Sequence, residues 1–139
     1  EMCIRDSARA FAPASLFERV VDRLRSSSDL DGVVPGLPAV DTYKIVDADG
    51  VVVNTPERSS LRAVQTPQGF AAETLRRVHR ESVGRDASDD AGLLEQAGFR
   101  VAVVDGDERA LKVTHPRDVA IAEGIVAAGV AGERDENRE

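Results

Sequence analysis

The side chain most able to do chemistry in this chain is that of Lys112. The apolar run at 101–104 and the alternation at 111–113 predict two strands, and a helix is predicted to begin at Pro116. Lys112 is therefore expected near a strand end and beside a helix N-terminus. Ligands bind at that edge of open α/β sheets, and such a cation suits an anion, most often a phosphate. The alternative is a solvated lysine on an edge strand.

Further polar residues fall at predicted strand ends or in loops, where functional groups often lie. They are Thr42, Arg58, Thr66 with Gln68, and Ser88 with Asp89. Cations and hydroxyls without an activated nucleophile suit phosphoryl or nucleotidyl transfer, which depends on positioning and charge neutralisation. An arginine can hold a phosphate through two N–H groups, whereas a lysine acts as a compact charge.

Each of these residues also has an ordinary structural interpretation. Arg58 could lie at a hairpin tip, and Thr42 could be a strand former. Thr66 could simply precede a turn, and Ser88 could be only a helix N-cap. The combination of cations and hydroxyls, more than any single residue, favours the functional interpretation.

Histidine and cysteine offer little further chemistry. His79 is expected on a helix surface, and His115 has no serine or cysteine partner at a suggestive spacing. Neither a Ser–His–Asp triad nor a histidine-based metal site is predicted. The single cysteine, Cys3, excludes an intrachain disulfide and a cysteine-based metal cage.

Composition limits the class of protein. A length of 139 residues, with 42% hydrophobic and 31% charged residues, predicts one globular domain with a sizeable core. The net charge of −7 argues against a nucleic-acid partner, because phosphate backbones need a basic face. The sequence has no apolar run of transmembrane length and no visible signal peptide, so no membrane partner and a cytoplasmic location are expected.

Hydrophobic periodicity supplies the elements that must position these residues. The predicted strands are 32–35, 61–65, 101–104 and 111–113, and the predicted helices are 13–25, 72–83, 91–97 and 116–130. Strands that alternate with helices predict an α/β layer fold with a largely parallel sheet.

Residues 41–61 follow a different pattern. Two short apolar runs flank the turn at 47–50, which predicts a β-hairpin. An isolated hairpin is marginally stable in water, so this one is expected to pack against something outside its own core. Residues 1–7 follow neither a helix nor a strand period and are predicted to be non-native, which leaves 8–130 as the domain and 131–139 as a disordered tail.

Five segments together resemble the 2-C-methyl-D-erythritol 4-phosphate cytidylyltransferase family of non-mevalonate isoprenoid biosynthesis. They are 8–10, 37–44, 58–70, 88–91 and 112–118, and they occur in the family's order and spacing. The resemblance implies a Rossmann-like nucleotidyltransferase fold with a mostly parallel sheet, of which this chain is the C-terminal part. It also implies that the hairpin at 41–61 is an arm of a homodimer that places Thr42 and Arg58 in the partner's site.

The resemblance further implies the reaction. A phosphate oxygen of methylerythritol phosphate attacks the α-phosphorus of CTP, with Mg²⁺ on the triphosphate, and pyrophosphate leaves. Lys112 matches a lysine that contacts the phosphates, Arg58 matches an arginine that positions the methylerythritol phosphate, and Asp6 matches an aspartate near the ribose and metal. Thr42, Thr66 and Ser88 match positions at which the family has hydroxyl side chains around the substrate. At the position of Ser88 the family commonly has threonine.

The family's glycine-rich nucleotide loop has no counterpart in this sequence, so the chain alone is expected to be inactive. Two other functions remain open from the sequence. One is a related cytidylyltransferase that acts on ribitol 5-phosphate, and the other is a non-catalytic dimerisation module that uses the hairpin. The sequence is also compatible with a fusion to a downstream cyclase domain.

Overall fold

A computed structural model of the protein describes residues 7–82 and 87–136. Its helices are α1 (Ala14–Arg25), α2 (Ala72–Glu81), α3 (Asp90–Gln96) and α4 (Pro116–Glu136). Its strands are β1 (Gly32–Pro38), β2 (Ile45–Val46), β3 (Val52–Asn54), β4 (Arg62–Val64), β5 (Gly69–Phe70) and β6 (Val101–Asp105), with a short 3-10 helix at Arg58–Ser60. The α/β class predicted from the sequence is confirmed.

Strand β1 is the centre of the main sheet. Its residue Val33 pairs with Ala102 of β6 on a parallel ladder and with Gly69 of β5 on an antiparallel ladder. Further along, Gly36 pairs with β6 again and with Val64 of β4, also antiparallel. Strands β4 and β5 therefore share one edge of β1, and β6 occupies the other.

The described sheet is mixed, which corrects the prediction of a mostly parallel one. Only the β1–β6 pair is parallel among the described strands, and the two helices α2 and α3 supply the crossover that a parallel pair requires. Between β1 and β4 the chain forms the hairpin and the short 3-10 helix but no α-helix, and β4 and β5 both run antiparallel to β1. Alternation of strands and helices cannot report that reversal.

Helix α1 packs on the sheet through a stripe of apolar residues, as its periodicity predicts. Leu16 and Val20, four residues apart, are fully buried in the core with Val33 of β1. At the helix–sheet contact Gly69 has no room for a side chain, because a Cβ there would lie 2.7 Å from Cγ1 of Val20. The glycine lets α1 approach β5 closely.

The second half of the core lies under the crossover helices. Val78 of α2 is buried together with Ala91 and Leu94 of α3. Helix α3 ends before Gly98, whose positive φ of +83° suits the left-handed residue that follows many helices. Both crossover helices occur close to their predicted positions.

The predicted strand at 111–113 is wrong, since the described backbone has no strand there. Leu111 and Val113 are half-buried, which explains their alternation, but the segment bonds to the N-terminal residues and not to β6. The amide of Val113 donates to the carbonyl of Ala8 at 2.9 Å. An alternation of apolar residues indicates which side chains face inward, but it does not require that the segment pairs with another strand.

The C-terminal helix is longer than predicted. The sequence predicts an end at Val130 and a disordered tail over 131–139, whereas the backbone of α4 stays helical to Glu136. Alanine, glutamate and arginine, which are frequent in this segment, all favour helix. Residues 137–139, and Asp6 with the rest of 1–6, lie outside the described residues.

The predicted hairpin is confirmed and stands apart from the main sheet. Strands β2 and β3 pair only with each other among the described strands, with an irregular register at Ile45/Val46. Asp47 closes the turn, since its carboxylate accepts from the amides of Asp49 and Val51 at 3.0 and 2.9 Å. We call residues 41–61 the arm and the rest of the described chain the body.

Candidate active site

The loop that carries Lys112 follows β6 and is fixed where it begins. The amide of Gly106 donates to the carbonyl of Gly36 at 3.0 Å. A Cβ on Gly106 would lie 2.4 Å from Oε1 of Gln65, so only glycine fits there without displacing that side chain. Arg19 of α1 also donates to the carbonyls of Asp105 and Gly106. The loop therefore leaves the sheet on a defined path.

Gln65 holds the same loop from the side of β4. Its side-chain amide donates to the carbonyl of Asp107 at 2.9 Å, and its Oε1 accepts from the amide of Asp107, also at 2.9 Å. A longer bond of 3.4 Å reaches the carbonyl of Ala110. The residue is only 5% exposed, so these bonds are made away from bulk water. Because Gln65 directly precedes Thr66, these bonds tie the Lys112 loop to the segment that carries Thr66.

Arg9 braces the loop from the N-terminal side. Its Nη1 donates to the carbonyl of Ala110 at 2.6 Å, and its Nη2 donates to the carbonyl of Val64 at 3.3 Å. Together with the bond between Val113 and Ala8, these contacts hold the segment before and after Lys112. The Lys112 side chain itself is exposed. A charged group on a braced backbone is a suitable arrangement for contact with an anion.

Within this loop Asp107 and Arg109 form an ion pair. Nε and Nη2 of Arg109 donate to the two carboxylate oxygens at 3.0 and 2.9 Å. The hydrogen bond from the Arg109 side chain lowers the pKa of Asp107, and partial burial opposes the shift. The charges of Asp107 and Arg109 therefore offset each other. The ammonium of Lys112, three residues after Arg109, is exposed and has no part in this pair.

Asp118 fixes the other end of the Lys112 segment. Its carboxylate accepts from the amides of His115 and Thr114, at 2.7 and 3.0 Å, and is largely buried. This is the acidic half of a capping box, which satisfies backbone donors at the start of α4. Those backbone hydrogen bonds, first of all that from Thr114, lower the pKa of Asp118. Sequence analysis missed this role, although the spacing His115-x-x-Asp118 before an apolar helix was the available signal.

The hydroxyl of Thr66 is buried and unpaired. Its Oγ1 has no hydrogen-bond partner among the residues the structure describes. The peptide bond to Pro67, which is itself buried, is cis. A buried hydroxyl without a partner is costly and uncommon, so this atom is a candidate to bond a ligand.

Two predicted clusters meet in space. Nε2 of Gln68, two residues after Thr66, donates to Oδ2 of Asp89 at 2.9 Å. The other oxygen of Asp89 accepts from the amide of Gly92 at 2.9 Å and caps α3. The N-cap is therefore Asp89, which corrects the alternative interpretation of Ser88 as that cap. Ser88 is exposed beside it.

The remaining two predicted residues lie in the arm. Arg58 opens the 3-10 helix and donates from Nη1 to the carbonyl of Val40 at 3.2 Å, while Thr42 is exposed. An open cavity of about 490 Å³ lies beside Arg58 at the base of the arm. It is lined by Pro38, Ala39, Val40, Glu57, Arg58, Ser59 and Arg62. The chain thus groups Thr66, Ser88 and the Lys112 loop on the body and leaves Arg58 and Thr42 on the arm.

The described part of the chain contains no group of three or more His, Cys, Asp or Glu residues placed to hold an ion. In the same residues no helix has the length and apolar character needed to cross a bilayer.

Comparison with known proteins identifies the family. The family model described as IspD, 2-C-methyl-D-erythritol 4-phosphate cytidylyltransferase, matches residues 2–128. The chain belongs to the IspD family. This confirms the resemblance seen in the five sequence segments. The match includes most of 1–7, whose non-native origin stays a prediction.

Individual IspD proteins agree with the family assignment. The 2-C-methyl-D-erythritol 4-phosphate cytidylyltransferase of Rhodococcus jostii is 50% identical over 126 residues, which are 91% of this chain and 54% of that protein. The 4-diphosphocytidyl-2C-methyl-D-erythritol synthase of Anaerococcus prevotii superposes with a TM-score of 0.79 at 28% identity, covering 86% of this chain and 55% of that one. The Thermus thermophilus cytidylyltransferase gives 0.71 at 38% identity, with 85% and 57% covered.

The structural matches confirm the predicted nucleotidyltransferase fold. The chain spans about half the length of the curated relatives and of the solved structures that it matches.

Proposed function

We propose that this chain, joined to the part of the IspD domain that it does not span, forms an enzyme that joins CTP and 2-C-methyl-D-erythritol 4-phosphate. The products are 4-diphosphocytidyl-2-C-methyl-D-erythritol and pyrophosphate. The match to the IspD family model over residues 2–128 carries the proposal. The arrangement of the body supports it, because an exposed lysine on a braced loop lies on the same framework as a buried, unpaired threonine hydroxyl.

In the proposed reaction a phosphate oxygen of the polyol phosphate forms a bond to the α-phosphorus of CTP. The bond from that phosphorus to the oxygen of the β,γ-diphosphate breaks, and pyrophosphate leaves with the electron pair. Mg²⁺ enters with the triphosphate as part of the substrate. Because both reactants are anions, the exposed ammonium of Lys112 lowers their repulsion as they approach. The hydroxyls of Thr66 and Ser88 bond the polyol.

The arm completes this site from a second copy of the chain. Its apolar side chains Ile45, Val46 and Val53 are 49–60% exposed, which is unusual for a monomer with no partner. We infer that these side chains are covered in a homodimer. The same contact brings Arg58 and Thr42 to the partner's body, where a guanidinium can hold the phosphate of the polyol through two N–H groups.

The test is a chimera in which the Rhodococcus jostii relative supplies the segment that this chain lacks. We refer to it as the chimera. Pyrophosphate release is measured with CTP and either methylerythritol phosphate or ribitol 5-phosphate. We expect turnover with the first polyol, little with the second, and none from the 139-residue chain alone, because the family's nucleotide loop is missing from it.

Each other result has a defined meaning. If the chimera prefers ribitol 5-phosphate, that polyol is the substrate, and the proposed cytidylyl transfer from CTP is unchanged. A folded, dimeric chimera without activity toward either polyol would favour the dimerisation module. Pyrophosphate release by the isolated chain would contradict the expectation that it is inactive. The proposal also implies a cytoplasmic enzyme that uses the CTP pool and binds no nucleic acid.

A further inference from the structure

One carboxylate joins the two hydroxyl-bearing segments of the body. Oδ2 of Asp89 accepts from the side-chain amide of Gln68, 21 residues earlier in the chain, and Oδ1 accepts from the amide of Gly92. Both bonds are 2.9 Å long and partly buried. Since each oxygen has its own donor, the carboxylate cannot rotate without breaking one of them. Hydrogen bonds to an ionised acceptor are also about twice as strong as neutral ones.

We propose that Gln68 and Asp89 are a positioning pair that fixes the Thr66 segment against the Ser88 segment and so sets the affinity for the polyol part of the substrate. This inference rests on the proposed function. Neither residue is assigned contact with the substrate. Gln68 lies two positions after Thr66, and Asp89 directly follows Ser88, so movement of the pair would change the separation of the two hydroxyls.

Other contacts also hold the two segments that the pair joins. Strand β5 pairs with β1 through Val33↔Gly69, and helix α3 is anchored by the buried side chains of Ala91 and Leu94. Gln68 directly precedes the first anchor, Gly69, and Asp89 lies two residues before the second, Ala91, so both are next to the core contacts and not among them. The bond between them is therefore placed to control local geometry more than global stability.

Gln68→Ala in the chimera tests this directly, because it removes the bond and leaves the cap on Gly92 intact. We expect KM for methylerythritol phosphate to rise about tenfold, as for the loss of one hydrogen bond to a charged group. KM for CTP should stay within about twofold, and the melting temperature should be nearly unchanged. A purely structural residue would not separate the two KM values.

Two further variants sharpen the test. Gln68→Glu places two carboxylates against each other and should raise the same KM more than Gln68→Ala does. Adding Asp89→Asn to Gln68→Glu reverses the direction of the hydrogen bond between positions 68 and 89. The introduced asparagine donates from its amide to the introduced glutamate, and its oxygen still accepts from the amide of Gly92. The double variant should therefore recover most of the affinity. Asp89→Asn alone should raise this KM less than Gln68→Ala does, because the Gln68 amide can turn to accept from the introduced asparagine, but the bond no longer has a charged acceptor.

Several outcomes would overturn the inference. An active parent with an unchanged KM for the polyol in Gln68→Ala would overturn it while leaving the proposed function intact. An equal rise in both KM values, or no recovery in the double variant, would do the same. If Gln68→Ala fails to fold, the double variant decides. A folded parent chimera with no activity would overturn the proposed function and this inference together.

Discussion

The body and the arm carry different parts of the proposed site and are held in different ways. On the body, buried Gln65 and Asp118 fix the loop around Lys112 through side-chain bonds to backbone groups. The arm touches the body only at its base, through bonds such as that from Arg58 to the carbonyl of Val40, and all of residues 41–55 are exposed. A single chain can therefore position its own lysine, whereas the arm residues need a second surface to be placed with comparable accuracy.

The largest effect is expected at Lys112. If its ammonium offsets charge that is concentrated as the two phosphates approach, it acts more strongly in the transition state than in the ground state. Lys112→Ala in the chimera should then lower kcat/KM by about 10²–10³-fold, roughly 3–4 kcal/mol. Lys112→Arg should recover little, because a planar guanidinium does not replace a compact ammonium. If Lys112→Ala keeps a kcat/KM near that of the parent, Lys112 is a solvated surface residue with no role in the reaction.

Mixed dimers test whether the arm acts on the partner's body. A heterodimer of an Arg58→Ala subunit and a Lys112→Ala subunit has one site with both residues and one with neither. A purified heterodimer should therefore show about half of the parental activity, whereas both homodimers are nearly inactive. If Arg58 serves the body of its own chain, each site of the heterodimer lacks one residue, and its activity would stay near that of the homodimers.

Loss of Gln65 should show how strongly the body is held. Gln65→Ala leaves both the amide and the carbonyl of Asp107 without their partner and removes a buried side chain. We expect the free energy of unfolding to fall by about 2–3 kcal/mol, measured by urea denaturation of the chimera. Thr42→Ala, at an exposed arm position, is the control and should change stability by less than about 0.5 kcal/mol. Equal effects of the two substitutions would remove the distinction between body and arm.

The smallest effect on folding is expected in the arm strands. Val53 is 60% exposed, so Val53→Thr should change the free energy of unfolding of the monomer by less than about 0.5 kcal/mol, while weakening the dimer in sedimentation experiments. Val34, which is 3% exposed in β1, is the matched control, and Val34→Thr should destabilise the monomer clearly. A marked loss of monomer stability in Val53→Thr would mean that the arm packs against its own body.

Much of the fold could be predicted because its signals are local. The spacing of Leu16 and Val20 located helix α1, and the turn residues around Asp47 located the hairpin. The site residues were chosen by type and spacing, and their roles stay predictions: Lys112, Thr66 and Ser88 lie on the body, whereas the roles of Arg58 and Thr42 depend on a second chain. The residues missed, Gln65 and Asp118, act through hydrogen bonds to backbone atoms, which leave little trace in a hydrophobic pattern.

The sequence by itself determined the family, the helices, the hairpin and the residue types available for phosphate chemistry. Only the tertiary structure decided that the sheet is mixed, that Leu111 and Val113 lie outside any strand, and that Asp89 both caps α3 and holds Gln68. The physical reason is the range of the interactions. Periodicity and turn propensity act over a few residues, but the bond between Gln68 and Asp89 joins positions 21 apart, and its existence depends on how the whole chain packs.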